Sequence, residues 1–427
     1  MNLKKMKKQT NRTRVLCTCI GFIACLVTGM PLAAQHTGNH ALPTDTFACS
    51  QPSVSRKLTH QLGIDFRPAY VVPTNDFFDG DNSTGQPIRN VWSVHLKYAF
   101  RFNKDSRLGR LYPHAYQGIG VSYNHFDNRP PIGHPVAVYA FQGSRIARLS
   151  PTLSLDYEWN FGASFGWEKY HVPEDGSQVL GYNDVVGSKI NAYINLGFFL
   201  NWQINPQWNL TAGIDLTHYS NGNTHYPNSG VNPVGGRIGL VRTFGAENSS
   251  PSANAGQLNP NDFRPHFSYD LVVYGATRKR GYIDNYNMGH LIPGSFGIVG
   301  LNFNPMYDFN KYFRAGISLD AQFDESTNLQ GYYAGGTDDD PKFYRPPFRE
   351  QFAVGLSARA ELVMPIFSVN IGIGHNVLYK GKDTRGFYQI LALKTFLTRN
   401  LFLHTGYQLS KFKDPNNLML GLGWRFR

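Results

Sequence analysis

Apolar and polar residues alternate one by one from Trp208 to Ser220, and that pattern limits the chain to very few architectures. Side chains of a β-strand point alternately to its two faces. One face here carries Trp208, Leu210, Ala212, Ile214, Leu216, His218 and Ser220. The other carries Asn209, Thr211, Gly213, Asp215, Thr217 and Tyr219. The apolar face belongs either in the core of a soluble sheet or against lipid on a membrane barrel, whose wet interior then takes the polar face. The alternation recurs. Ile190, Ala192, Ile194, Leu196, Phe198, Leu200 and Trp202 oppose Lys189, Asn191, Tyr193, Asn195, Asn201 and Gln203, with Phe199 as the exception. Phe367, Val369, Ile371 and Ile373 oppose Ser368, Asn370, Gly372 and Gly374. The last stretch sets Leu418, Leu420, Leu422, Trp424 and Phe426 against Gly421, Gly423 and Arg425.

The first residues favour the membrane. Lys4, Lys5, Lys7, Lys8, Arg12 and Arg14 form a basic leader, Val15 to Met30 is apolar, and Leu32-Ala33-Ala34 suits cleavage after Ala34. Residues 1–34 are therefore expected to be a cleaved signal peptide, and 35–57 a flexible leader. Cys17, Cys19 and Cys25 leave with the signal, so Cys49 has no partner for an internal disulfide. The formal net charge of +12 falls to about +6 once the signal is gone. That is too mild for the electrostatic footprint of nucleic-acid binding. Beyond the signal, no apolar run approaches the roughly 20 residues of a membrane-spanning helix. Aromatic residues make up 14% of the chain, glycine occurs 43 times, and charged residues are only 16%, against roughly 25% in ordinary globular proteins. An exported chain of this kind fits an outer-membrane β-barrel better than its competitor, a large soluble all-β protein. Phe426, penultimate before Arg427, resembles the C-terminal signature of such barrels.

Turn lengths give the orientation. Asn205-Pro206-Gln207, Phe309-Asn310-Lys311, Met364-Pro365 and Thr398-Arg399-Asn400 are short, whereas 170–187, 280–293 and 325–349 are long and polar. Outer-membrane barrels have short periplasmic turns and long outer loops. The sequence thus predicts one all-β domain over 58–427, a transmembrane antiparallel β-barrel of about sixteen strands, within limits of about twelve and sixteen. An even count puts both ends of the barrel in the periplasm. The stretch 245–264, with Ser249-Ser250-Pro251-Ser252, then becomes an unusually long periplasmic connection. The strand from Trp208 leaves a periplasmic turn and rises, so His218 and Ser220 stand at its outer end, on the lipid side. The lipid of that leaflet is lipopolysaccharide.

Two polar side chains on a lipid-facing surface are out of place structurally and well placed to attack a lipid. Serine becomes a nucleophile when a base takes its proton, and histidine is the usual base. At i and i+2 on one face their Cβ atoms lie about 7 Å apart, close enough for suitable rotamers to join them. A third group must orient the imidazole, and donors must hold the charge that develops on the carbonyl oxygen. Asn221 and nearby backbone N–H groups are candidates for that oxyanion site.

His218-Tyr219-Ser220-Asn221-Gly222, followed by Pro227-Asn228-Ser229-Gly230, resembles the active-site segment of the PagL-type lipid A 3-O-deacylases. That family carries His-x-Ser-Asn and then Pro-Asn-x-Gly at this spacing, and the close match covers about 25 residues. The chain is much longer than the eight-stranded members and is similar to the long homologues of Bacteroides-type bacteria. The resemblance implies an outer-membrane barrel that removes an ester-linked 3-hydroxyacyl chain from lipid A. It implies His218 and Ser220 as the catalytic pair, with Asn221 and Asn228 shaping the oxyanion site. The family's catalytic acid, a Glu twelve residues after the serine, is replaced here by Asn232. Asn232 shares the parity of Val234, Ile238 and Leu240 on the next strand, so it can adjoin His218. Its amide oxygen can accept the imidazole N–H and fix the tautomer, as in Cys-His-Asn sites, but it cannot neutralise an imidazolium. Asp215 has the opposite parity and faces the lumen.

No cofactor and no metal is expected, and the histidines show no zinc spacing. Asp338-Asp339-Asp340 suits a solvated charge run better than a Ca²⁺ site. Gly372-Ile373-Gly374-His375-Asn376 lacks the helix that follows a nucleotide loop; His375 is a rim residue and His404 lumenal. The expected partners are lipid A or lipopolysaccharide and the outer membrane itself, with a homodimer left open and no nucleic acid. Two functions remain: an esterase acting on lipid A, and a non-enzymatic barrel, pore or structural, that kept the motif. About sixteen strands would enclose a channel.

Overall fold

The computed structural model describes residues 58–427 apart from 105, 128–130, 170–182, 184, 245–262, 284–288, 337–340 and 411–413. The signal peptide, the leader, Cys49, the Asp338–Asp340 run and nearly all of the 245–264 connection lie outside the described residues. Among those described, no helix is long and apolar enough to cross a membrane, which says nothing against a barrel.

Sixteen long antiparallel strands form, but they close twice. The first barrel comprises β1 (Leu58–Val72), β2 (Asn90–Phe102), β3 (Tyr116–Phe126), β4 (Gly133–Arg148), β5 (Leu153–Trp167), β6 (Ile190–Gln203), β7 (Trp208–Ser220) and β8 (Asn232–Phe244). The second comprises β9 (His266–Arg278), β10 (Phe296–Asp308), β11 (Phe313–Asp324), β12 (Phe352–Val363), β13 (Phe367–Leu378), β14 (Phe387–Phe396), β15 (Leu401–Ser410) and β16 (Asp414–Phe426). β8 returns to β1 from Phe244↔His60 to Asn232↔Val72, and β16 closes on β9 from Phe426↔Tyr269 to Leu420↔Gly275. The single sixteen-stranded barrel over 58–427 is therefore corrected to two eight-stranded barrels. Alternation fixes which face a residue occupies; it does not say which strand takes a free edge. Once β8 meets β1, no unpaired edge remains in the first ladder, and β9 begins a new one.

An eight-stranded barrel is only wide enough for side chains, and both lumens are filled. In the first, Arg67, Lys97 and Arg237 meet Asp65, Glu158 and Asp215, all buried. Arg67 lies 2.7 Å from Asp65 and 3.2 Å from Asp215, and Lys97 lies 3.2 Å from Glu158. In the second, Lys394 lies 2.8 Å from Asp270, and Arg425 bridges Asp270 at 2.7 Å and Glu361 at 2.8 Å. Phe199, the apolar exception on a polar face, packs in the first lumen with the Arg237 guanidinium 4.3 Å from its ring centre. The lumen is a core, so an aromatic residue belongs there. The expected wide channel does not form.

Outward-facing Ile64, Leu96, Ile214, Val273, Ile317 and Leu391 are exposed. Such a belt is costly in water and ordinary against lipid. It is interrupted where the barrels touch. Met364, Phe367 and Leu393 form a buried cluster with Ala140, Trp159 and Phe161, and the Trp159 and Phe367 rings meet edge to face at 5.0 Å. Near the short-turn end, between β2 and β3, Tyr112 donates to the Lys311 carbonyl at 2.6 Å.

Candidate active site

β7 and β8 bring the site together by register. Leu216 faces Val234 in the ladder, and an isolated bridge pairs Tyr219 with Val231. The register these pairs define sets His218 opposite Asn232. The His218 Nδ1–H donates to the Asn232 Oδ1 at 2.6 Å. An amide oxygen only accepts, so this bond puts the proton of a neutral imidazole on Nδ1 and leaves Nε2 with a free lone pair. Gly230 gives the ring its seat. A Cβ there would lie 3.1 Å from His218 Cε1, and Gly230 has φ +78°, which side chains other than glycine rarely adopt. Its carbonyl accepts from the Thr74 hydroxyl at 2.9 Å, tying the seat to the loop after β1.

The loop from 221 to 231 is held by its own amides. Asn221 is buried, and its backbone N–H donates to Asn228 Oδ1 at 2.9 Å. Asn228 Nδ2 donates in turn to Asn223 Oδ1 at 3.0 Å. Both asparagines singled out for the oxyanion site thus lie beside the serine, with these groups engaged in shaping the loop. Asp215 points into the lumen and is held by Arg67. His404 is likewise buried in the second lumen. Among the described residues no cluster of His, Cys, Asp and Glu is arranged to hold a metal ion.

Ser220 shares the face of His218, opposite Ala192 of β6, but the two are not joined by a hydrogen bond. The Ser220 hydroxyl engages the phenol of Tyr407, on β15 of the second barrel. Tyr407 packs closely against the loop because position 222 is glycine: a Cβ there would come within 2.6 Å of the ring. Ser220 and Tyr407 share the wall of an apolar cleft of about 720 Å³ between the barrels. Tyr407 was missed from the sequence, although the signal used for His218 and Ser220 is repeated there. Thr405 and Tyr407 are polar groups on the outward face of β15, whose inward face carries Phe402 and His404. A tyrosine near a membrane surface has an ordinary explanation in the aromatic girdle of such barrels.

Two closed antiparallel barrels, each with a packed polar interior and an apolar exterior, define a bacterial outer-membrane β-barrel protein. Residues 156–241, from β5 to β8, match the family model for lipid A 3-O-deacylase (PagL). Residues 267–427, essentially the whole second barrel, match the acyloxyacyl hydrolase C-terminal domain. The chain belongs to the PagL-type acyloxyacyl hydrolase family. No curated protein matches it. Among solved structures, Neisserial surface protein A is 11% identical with a TM-score of 0.29, covering 43% of this chain and 97% of its own. The outer membrane enzyme PagL is 12% identical with a TM-score of 0.27, covering 42% and 97%. Omp33 of Acinetobacter baumannii is 10% identical with a TM-score of 0.14, covering 87% and 100%. These likenesses are distant.

Proposed function

We propose that the protein is a lipid A deacylase that hydrolyses an ester-linked 3-hydroxyacyl chain by a serine–histidine mechanism. The observation that carries this reading is the His218–Asn232 hydrogen bond of 2.6 Å beside Ser220, at the end of β7 opposite its short turn. In the mechanism, Ser220 Oγ attacks the ester carbonyl carbon while His218 Nε2 takes the hydroxyl proton. His218 returns that proton to the departing sugar oxygen, leaving an acyl-serine. Water, deprotonated by the same nitrogen, then attacks the acyl carbon, and the proton passes to Ser220 Oγ as the fatty acid leaves. Asn232 keeps the imidazole in the tautomer this requires, while Asn221 and Asn228 support the loop behind the serine. Long loops lie at this end of the barrel, which supports an outer-leaflet position. The filled lumens favour the enzyme over a pore.

Mass spectrometry of lipid A from cells producing the protein, beside a Ser220→Ala control, tests the proposal. The wild type should remove one hydroxyacyl mass and the control none. Identical spectra, with both barrels folded in an outer membrane that contains a susceptible lipid A, would sink it.

A further inference from the structure

The cleft beside Ser220 has walls from both barrels. Phe161 and Ile190 line it from the first, and Leu418 and Leu420 from the second; Lys169 and Lys189 also border it. Both lysines are exposed. Ser220 lies in this cleft together with Tyr407. The loop amides nearest the serine already serve one another: the Asn221 N–H is given to Asn228, and the Asn228 amide to Asn223. A carbonyl arriving at Ser220 meets the phenol of Tyr407, a hydroxyl donor supplied from outside the loop.

We propose that the second barrel is part of the active site: Tyr407 donates to the oxyanion formed at Ser220, and the inter-barrel cleft receives the acyl chain of the lipid substrate. This rests on the deacylase reading and names the groups that complete it. On substrate entry the Ser220–Tyr407 contact opens, the Tyr407 O–H turns to the ester carbonyl oxygen, and the serine is free to turn towards His218. As the Ser220 Oγ–carbon bond forms, the carbonyl π pair moves onto that oxygen and the serine proton goes to His218. The negative oxygen then accepts the Tyr407 hydrogen bond until the C–O bond to the sugar breaks. The cleft is mostly apolar, as a hydrocarbon chain requires, and the two lysines supply the positive charge that a phosphorylated headgroup would meet.

The test uses the whole protein in detergent or vesicles, with purified lipid A and, separately, alkyl fluorophosphonates. These label an active serine by forming a Ser220 O–P bond as fluoride leaves, whatever the natural substrate. Tyr407→Phe keeps the ring and removes the donor. It should lower kcat on lipid A about a hundredfold and slow labelling of Ser220 similarly, with KM little changed. Leu420→Trp narrows the cleft and should abolish the preference for a long-chain over an ethyl fluorophosphonate. If Tyr407→Phe keeps both rates within about twofold, the donor role is overturned. If Leu420→Trp keeps the chain-length preference, the cleft is not the acyl site. A folded wild type that neither cleaves lipid A nor labels at Ser220 would remove the deacylase reading and this inference together. A wild type that labels but spares lipid A would overturn lipid A as the substrate, and the labelling of Tyr407→Phe and Leu420→Trp would still decide the donor and the acyl cleft.

Discussion

Asn232 is where this chain departs from its family and where the departure can be weighed. An amide in place of a catalytic carboxylate is ruinous when it forces the wrong tautomer; in a serine protease the loss is about ten-thousandfold. Here the amide presents its oxygen to Nδ1, so the tautomer is the one the proposed mechanism requires. What is lost is the neutralisation of the imidazolium. Asn232→Ala would remove the orienting bond as well. A lost hydrogen bond of about 1–3 kcal/mol corresponds to a fall in kcat of roughly five- to 150-fold. Single-turnover kinetics on lipid A would measure it, and an unchanged rate would show that the imidazole needs no orienting partner. Gly230 illustrates the same economy of space, since its missing Cβ is what lets the ring lie where it does.

At the scale of the strand, each alternating segment has to satisfy two solvents. The outward residues of β7 face lipid, while Asp215 and Thr211 on its other side are buried in a polar lumen. In the second barrel, Lys394 of β14 is completely enclosed and sits between Asp270 of β9 and Glu361 of β12. Removing one partner from a buried ion pair strands the others and costs about 3–5 kcal/mol. Lys394→Met should therefore destabilise the second barrel by about that amount. The temperature at which heating shifts its mobility on a denaturing gel should fall accordingly. A change confined to the rim, such as His375→Gln, should leave that temperature where it was.

At the scale of the molecule, two narrow barrels differ from one wide barrel in what they permit. Reconstituted in planar bilayers, the protein should be silent, because charged and aromatic side chains fill both interiors. Stepwise open currents would contradict the packing of both lumens. The pairing also spares part of each apolar face from lipid. The Trp159–Phe367 contact replaces lipid with protein, so tight packing rather than escape from water must hold it. The face of the second barrel that carries Tyr407 meets the end of β7 only because the barrels pair in this way.

Much of this was legible in the residue order, because a strand's period of two ties sequence directly to side-chain direction. The alternation from Trp208 to Ser220 determined the strand, its membrane face and the odd position of His218 and Ser220. The spacing to Asn232 showed which residue stands where the resembled segment has its acid, and parity placed it on the same side as the histidine. The number of long strands, sixteen, also followed from turns and alternation. The tertiary structure alone decided how those strands close, since a free edge will accept whichever strand completes its hydrogen bonds. It alone decided that Phe199 is a core residue, because the width of the lumen depends on the closure. It also decided that Ser220 lies against Tyr407, some 190 residues away in a different barrel: a contact across two closed ladders leaves no local period in the sequence.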